Sequence, residues 1–416
     1  MLRNKIKRTC EDTFETYGCK PLETPILNMC DLMTYKYGGG DEIIKEIYTL
    51  QDQGNRELAL RYDLTIPFAK VVALTPNIRL PFKRYEIGKV FRDGPVKQGR
   101  FREFIQCDVD IVGVESVIAE AELMVMALDI FKKLGLDVTI QYNNRKLLTG
   151  ILQAMQVPEP ETASAILSLD KLEKIGIDGV RKDLQTRGLN DNTVALLCET
   201  VEACLSMPLS QLAETFKNLL VIEGIAELQE LQQYLTVMGV ESQTAFTPFL
   251  ARGLTMYTGT VYEIFLTDGS ITSSIGGGGR YDNIIGAFRN DDMSYPTVGI
   301  SFGLDVIYTA LMQKQAKPSA TNLFIIPIET KAECMKLAHT LRNSGDIKVE
   351  LELSNRKLKR SLNYASKENI PYVLIVGEDE IKTNTAVLRN MNEGTEEKIQ
   401  LASIEDGTII QYIQKS

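Results

Sequence analysis

Polar and apolar side chains alternate twice between residues 82 and 112, with a Gly/Pro-containing loop at 93–99 between the two runs. In the first run Phe82, Arg84 and Glu86 alternate with Lys83, Tyr85 and Ile87, and the run ends on Phe91 and Arg92. The second opens at Arg100 and places Arg100, Arg102, Phe104, Gln106, Asp108 and Asp110 on one face. A period of two is the signature of a strand with distinct faces, so the pattern predicts a β-hairpin. Antiparallel pairing would bring Arg92 alongside the second run.

Upstream, Leu2, Ile6, Cys10, Phe14 and Tyr17 are spaced for one buried stripe of a helix over 1–18. Residues 19–27 carry two prolines and read as an extended arm. A glycine-rich loop at 35–42 precedes strands at 44–50 and 56–65, joined by a turn, and then a helix at 66–74. A long helix at 116–134 and a strand at 138–143 follow. From 145 to 245 apolar residues recur at helical spacing only, which marks an inserted helical module. Strand patterning returns at 249–266 and 271–275, followed by a loop at the four glycines 276–279, a helix near 281–288, and a strand running into a helix over 296–312. The sheet begun before the module is therefore expected to be closed by chain beyond it. Linker composition at 314–321 leads to four apolar or β-branched runs, the first three separated by helical stretches at 331–343 and 357–368, as in a small βαβ-type domain. The expected organisation is one α+β domain from 1–144 and 246–313, a helical insertion at 145–245, and a second domain at 321–416.

Composition narrows the function classes. A chain of 416 residues has room for two or three cored domains, and 44% hydrophobic with 24% charged residues is ordinary for a soluble protein. The net charge of −9 argues against binding nucleic acid by bulk charge, though Arg356, Lys357, Lys359 and Arg360 form a local basic cluster. No apolar run approaches the roughly 18 to 20 residues of a membrane span, and residues 2–18 are too charged for a signal peptide. The seven cysteines form no CxxC pair and no zinc spacing, so reduced thiols and a cytoplasmic location are expected. His339, the only histidine, lies in an amphipathic helix; a Ser-His-Asp triad or a multi-histidine metal site is therefore not expected.

The hairpin face has a cation at its loop end, an aromatic ring midway and carboxylates at the far end. Such a gradient suits an elongated ligand with phosphates at one end, a flat base in the middle and a cationic group at the other. A solvated face with ordinary charge pairs accounts for the same residues, and this segment alone leaves both readings open. Arg252 before Gly253 is explained as cheaply by a turn, and the glycines 276–279 by either a turn or close approach of a ligand. The order and spacing of all these segments together are far more specific.

With those residues in view, the chain resembles the class II aminoacyl-tRNA synthetases, specifically the histidyl-tRNA synthetase family, from residue 1 to about 400. The resemblance rests on LALRYDLT at 58–65, FRDGPVKQGRFREF at 91–104, QCDVDIVG at 106–113, RGLTMYTGTVYE at 252–263 and GGGGRYD at 276–282, with RKLKRSLNYASKENIPYVLIVGEDE in the final domain. It implies an antiparallel catalytic sheet with a helical insertion and a C-terminal α/β anticodon-binding-like domain. It also implies ATP with Mg2+, histidine and histidine tRNA as substrates and partners, and a homodimer formed through the first helix and the 19–27 arm. Arg92 and Arg252 would be the catalytic pair on the α-phosphate. Arg100 would reach the terminal phosphates, Phe104 would stack on adenine, and Gly303 would complete the nucleotide site. Asp63 would take the α-ammonium with Thr65 beside it, and Gln106 would orient the carboxylate. Asp110 and Tyr257 would hold the imidazole, with Tyr281 and glycines 277–279, Gly278 among them, lining the floor.

The chain departs from the family pattern at three places. Val306 stands where an arginine is usual after Asp305, Thr255 and Met256 replace an aspartate and a tyrosine, and the short segment that commonly precedes the first helix is lacking. Loss of one transition-state cation costs roughly a hundred- to a thousandfold in rate; Lys97 and Arg280 are the cations considered as substitutes for it. A second reading follows from the same resemblance: a non-catalytic histidine sensor like the regulatory subunit of ATP phosphoribosyltransferase. Such subunits usually lack the C-terminal domain, which this chain has.

Overall fold

The computed structural model describes residues 1–34, 44–75, 77–96, 100–252, 256–291, 293–314, 319, 321–344, 347–405 and 408–415. The glycine-rich loop expected at 35–42, most of the linker, Lys97 and Thr255 lie outside these residues. The chain divides into two compact units, Leu2–Gln313 and Lys314–Ser416.

The first unit is built on an 8-stranded sheet. Its strands are β1 (Lys20–Pro21), β5 (Phe82–Phe91), β6 (Glu103–Val112), β7 (Val138–Asn144), β8 (Thr244–Phe246), β9 (Thr260–Leu266), β10 (Gly276–Arg280) and β11 (Thr297–Gly303), in the order β1-β5-β6-β11-β10-β9-β7-β8. Only the short edge strands β1 and β8 pair parallel. β9, β10 and β11 lie between β6 and β7, so chain beyond the helical segment does close the sheet. The predicted hairpin is β5–β6, in register Arg84↔Asp110 and Phe91↔Glu103. Its second strand begins at Glu103 rather than at Arg100, while Arg92 N–H still donates to the Arg102 carbonyl at 2.9 Å.

The helix Leu2–Thr16 buries Leu2, Ile6, Cys10 and Phe14, and Tyr17 just beyond it donates to Asp129 at 2.6 Å. The helix Ile118–Leu134 is buried along nearly its whole length and ends at Gly135, whose φ of 71° suits the left-handed cap that glycine adopts without a steric cost. Helices from Arg145–Ala154 to Leu219–Val237 occupy the stretch expected to be helical. Their inward residues, Leu147, Val201 and Leu228 among them, join the same apolar core as the sheet. A separate 3-stranded sheet has β2 (Leu27–Met29), β4 (Glu57–Leu60) and β3 (Thr49–Gln51) in that order.

Two expectations are overturned here. Among the described residues the strand expected over 249–266 is Thr260–Leu266, and 271–275 is not a strand. The glycine run expected as a loop is instead the buried central strand β10. The reason is crowding across the sheet. A Cβ on Gly278 would strike the Gly299 carbonyl, and one on Gly277 would strike the Arg252 guanidinium and lie 2.7 Å from the Tyr262 carbonyl oxygen. Glycine in a strand interior marks such close approaches.

The second unit carries a 5-stranded sheet in the order β13-β12-β14-β15-β16. Here β12 is Leu323–Ile328, β13 Val349–Leu351, β14 Tyr372–Gly377, β15 Thr385–Asn390 and β16 Glu396–Gln400. β12 pairs parallel with both β13 and β14, with helices Lys331–Asn343 and Leu358–Lys367 as crossovers, as the βαβ pattern predicted. β15 and the unforeseen β16 add an antiparallel hairpin.

Candidate active site

Two cavities in the first unit share Arg92. The larger, about 660 Å³, is lined by Arg92, Arg100, Phe104 and Gly303, all four residues expected to bind nucleotide. The smaller, about 70 Å³, is lined by Asp63, Thr65, Gln106, Asp110, Arg252, Tyr257, Gly278 and Tyr281, the whole set expected to bind the amino acid. Arg92 and Arg252 thus line one recess.

Arg92 follows directly on β5. Its Nε donates to the Tyr62 carbonyl at 3.0 Å, and its guanidinium lies 5.2 Å from the centre of the Phe104 ring. Burial lowers its pKa, opposed by Asp63 and Glu46. Arg252 donates to Glu263 Oε1 at 3.1 Å and lies 5.8 Å from the Tyr257 ring centre. Burial works against its charge, but Tyr257, Glu263 and Asp170 more than offset it and its pKa is raised. Arg100 donates to Glu46 at 2.8 Å.

The recess concentrates buried carboxylates. Asp63 precedes the helix Thr65–Leu74 and accepts from Ile66 N–H at 3.2 Å, a helix-start bond that holds it in place. Burial pushes its carboxyl up to about 7, with the Ile66 bond and Arg92 opposing. Asp110 on β6 accepts a short bond from the Tyr281 hydroxyl, and its Oδ2 lies 2.8 Å from Arg84 Nη2, an ion pair without hydrogen-bond alignment. A Cβ on Gly299 would strike Asp110 Oδ1, so the glycine of β11 makes room for the carboxylate. Asp108 accepts from Ser301 Oγ at 2.5 Å, and Ser301 Oγ accepts in turn from Gln106 Nε2 at 2.6 Å. Burial lifts Asp108 to about 8, helped by Asp110 and opposed by Arg84 and the Ser301 bond.

Sequence reasoning missed what stands beneath these groups. Arg84, fully buried, contacts Asp110, Glu86 at 3.4 Å and the Phe68 ring at 4.2 Å. Glu86 pairs with buried Arg61 at 2.6 Å and accepts from Thr24. Arg61, Glu86, Arg84 and Asp110 therefore form a ladder of alternating charge under the recess. Its signal lay in the hairpin alternation, which set Arg84 and Glu86 on one face of β5. Ser301 and Lys174 were also missed; Lys174, from the helix Leu172–Thr186, lines the larger cavity. Val306 lines that cavity too. Arg280, considered as a substitute cation, is instead held by Glu120 through two bonds of 2.7 Å and lines neither cavity.

Residues 2–307 match the family model described as histidyl-tRNA synthetase, and residues 322–409 match the anticodon binding domain. A relative described as histidine–tRNA ligase 1, from Bacillus cereus, is 69% identical over 412 residues, covering 99% of this chain and 94% of the relative. The crystal structure of histidyl-tRNA synthetase from Nostoc sp. is 28% identical with a TM-score of 0.82, covering 97% of this chain and 94% of that one. A Bacillus halodurans structure described as an ATP phosphoribosyltransferase regulatory subunit/histidyl-tRNA synthetase is 20% identical with a TM-score of 0.70, covers 90% of this chain and 94% of that one, and shares the fold alone. With both domain models matched in order and near-full-length identity at this level, the chain belongs to the histidyl-tRNA synthetase family.

Proposed function

We propose that this protein activates histidine with ATP and transfers it to the 3′ end of histidine tRNA. The observation that carries the reading is the single recess lined by Arg92 and Arg252, with Arg92 also lining the larger cavity. The histidine carboxylate attacks the α-phosphate between the two guanidinium groups, and pyrophosphate leaves. Charge builds on the five-coordinate phosphorus, so prepositioned cations matter more than an acid or base. Glu263 aims Arg252, and the Tyr62 carbonyl aims Arg92. Phe104 offers a face to adenine, and Arg100 and Lys174, which line the larger cavity, offer cations to the terminal phosphates, where Val306 brings none. Magnesium would enter on the phosphates, in keeping with its habit of retaining waters.

Asp63 receives the α-ammonium beside Thr65. Asp110 and Tyr257 take the imidazole nitrogens; an ionised carboxylate has about four lone-pair sites, so Asp110 can still accept beyond its bond from Tyr281 and its ion pair with Arg84. Two separated polar requirements reject other side chains, because a wrong one leaves buried groups unpaired. The C-terminal unit meets the tRNA anticodon. Its exposed Lys357, Lys359 and Arg360 stand at the start of the helix Leu358–Lys367, while Arg356 is tied to Glu352 at 3.4 Å and to the Tyr364 ring. The protein works as a cytoplasmic homodimer. Support for the dimer is the 3-stranded sheet, where Leu27 and Met29 on β2 and Leu50 on β3 are exposed, with Ile26 just before β2. The sensor reading has less support, since the C-terminal domain matches over 322–409. Incubating the protein with ATP, labelled histidine and a histidine tRNA transcript tests the proposal: histidyl-tRNA is expected, and binding of histidine without any charged tRNA would favour the sensor.

A further inference from the structure

Among the described residues that line the larger cavity, Asp305 is the single carboxylate, which sets it apart in a space proposed to hold the phosphates of ATP. It stands in the first turn of the helix Leu304–Lys314, its side chain is 4% exposed, and Val306 beside it brings no charge. An acid in a first turn commonly serves its own helix. Among the described residues Asp305 does something else: its Oδ2 accepts from Ile105 N–H at 3.0 Å, across to the strand that carries Phe104. β6 pairs with β11 only as far as Gln106↔Gly303, so this bond continues the join by one residue. A brace for β6 therefore explains the carboxylate. It leaves the negative charge unexplained, because that charge repels phosphates in the same cavity, and more strongly for being out of water.

Arg3 meets that charge from outside. Its Nη2 lies 2.5 Å from Asp305 Oδ1, and its guanidinium lies 5.7 Å from the centre of the Tyr308 ring, one turn further along the same helix. Arg3 stands near the start of the helix Leu2–Thr16 with its side chain 46% exposed, and it lines neither cavity. It reaches the nucleotide only through Asp305. An ion pair between two exposed groups contributes little. Here one partner is buried, and removing the cation would leave its carboxylate uncompensated. We propose that Arg3 is a positioning residue for the nucleotide: it cancels the charge of Asp305, so that the carboxylate braces β6 without repelling the phosphates. This rests on the ATP reading above and adds a residue of the first helix to it. The cations that line the cavity, Arg92, Arg100 and Lys174, then act on the phosphates with no uncompensated acid in the lining set against them.

Three ligands separate this role from a structural one: ATP with Mg2+, adenosine, which lacks the phosphates, and histidine. Their dissociation constants are measured by calorimetry for the unaltered protein, Arg3→Ala, Arg3→Lys, and Arg3→Ala combined with Asp305→Asn. Asparagine keeps an oxygen for the Ile105 N–H and removes the charge. Arg3→Ala is expected to weaken ATP about three- to tenfold, the range for a charged contact that is partly exposed, and to leave adenosine and histidine unchanged. Arg3→Lys restores ATP binding, and so does the double variant. Equal losses of ATP and adenosine in Arg3→Ala, undiminished ATP binding there, or a double variant no better than Arg3→Ala would each overturn the proposal. The histidine reading fails separately: ATP binding without pyrophosphate exchange in the unaltered protein would end it and leave the test of Arg3 intact. If the unaltered protein does not bind ATP, both fall.

Discussion

At the scale of single residues, the site is a set of buried charges held by neighbours rather than by water. Asp63 shows the consequence most clearly. Its ordinary carboxyl value of 3.8 is raised to about 7, chiefly by burial. A raised folded-state pKa means that its contribution to stability is full below about pH 4 and is lost as pH rises through about 7. Urea unfolding of the empty protein should therefore show stability falling from pH 5 to pH 8, and falling less in Asp63→Asn; identical slopes would contradict the assignment. An ammonium beside Asp63 favours its charged form, so histidine binding near pH 7 should release roughly half a proton. Calorimetry in buffers of different ionisation enthalpy reads the total release, and Asp63→Asn should lower it by about that amount. Arg252 belongs to the same scale. Because the phosphorus gains its charge only in the transition state, Arg252→Ala should lower the rate of histidine activation about a hundred- to a thousandfold while histidine affinity changes only a few-fold. Unchanged turnover would refute its role.

At the scale of elements, β10 does the positioning that its composition conceals. Gly277 leaves space for the Arg252 guanidinium and Gly278 lets β10 pass the Gly299 carbonyl. Gly278→Ala should cost at least about 1–3 kcal/mol of stability, the usual range for overpacking, seen in thermal or denaturant unfolding. Gly277→Ala should cost stability as well, since its methyl would lie 2.7 Å from the Tyr262 carbonyl oxygen, and should in addition lower the activation rate by displacing the Arg252 guanidinium. An unchanged activation rate in folded Gly277→Ala would contradict the role given to Arg252. The contrast explains what the sequence could reveal. The hairpin face from Phe104 to Asp110 was legible because strand period alone sorts residues onto faces. The Arg61–Glu86–Arg84–Asp110 ladder was not, since it depends on cross-strand register and on Arg61 from a separate segment. The glycine strand was misread because glycine is depleted in strands, and only the crowding of neighbouring strands favours it there. Lys174 was missed because its helix shows ordinary surface periodicity; only packing of that helix brings it to the larger cavity.

At the scale of the whole molecule, the histidyl-tRNA synthetase and anticodon binding domain models together match nearly the entire chain. The apolar side chains Leu27 and Met29 on β2 are more than 40% exposed, an arrangement that a partner subunit would cover. Sedimentation of the purified protein should give a dimer mass, and Leu27→Asp combined with Met29→Asp should shift it to monomer; a monomer before substitution would contradict the proposed assembly. The identity of the amino acid is the claim on which the assignments in the smaller recess depend. ATP–pyrophosphate exchange, measured separately with each of the twenty amino acids, tests it most directly. Exchange with histidine alone is the predicted result, and exchange with another amino acid, or none above background with any, would contradict it.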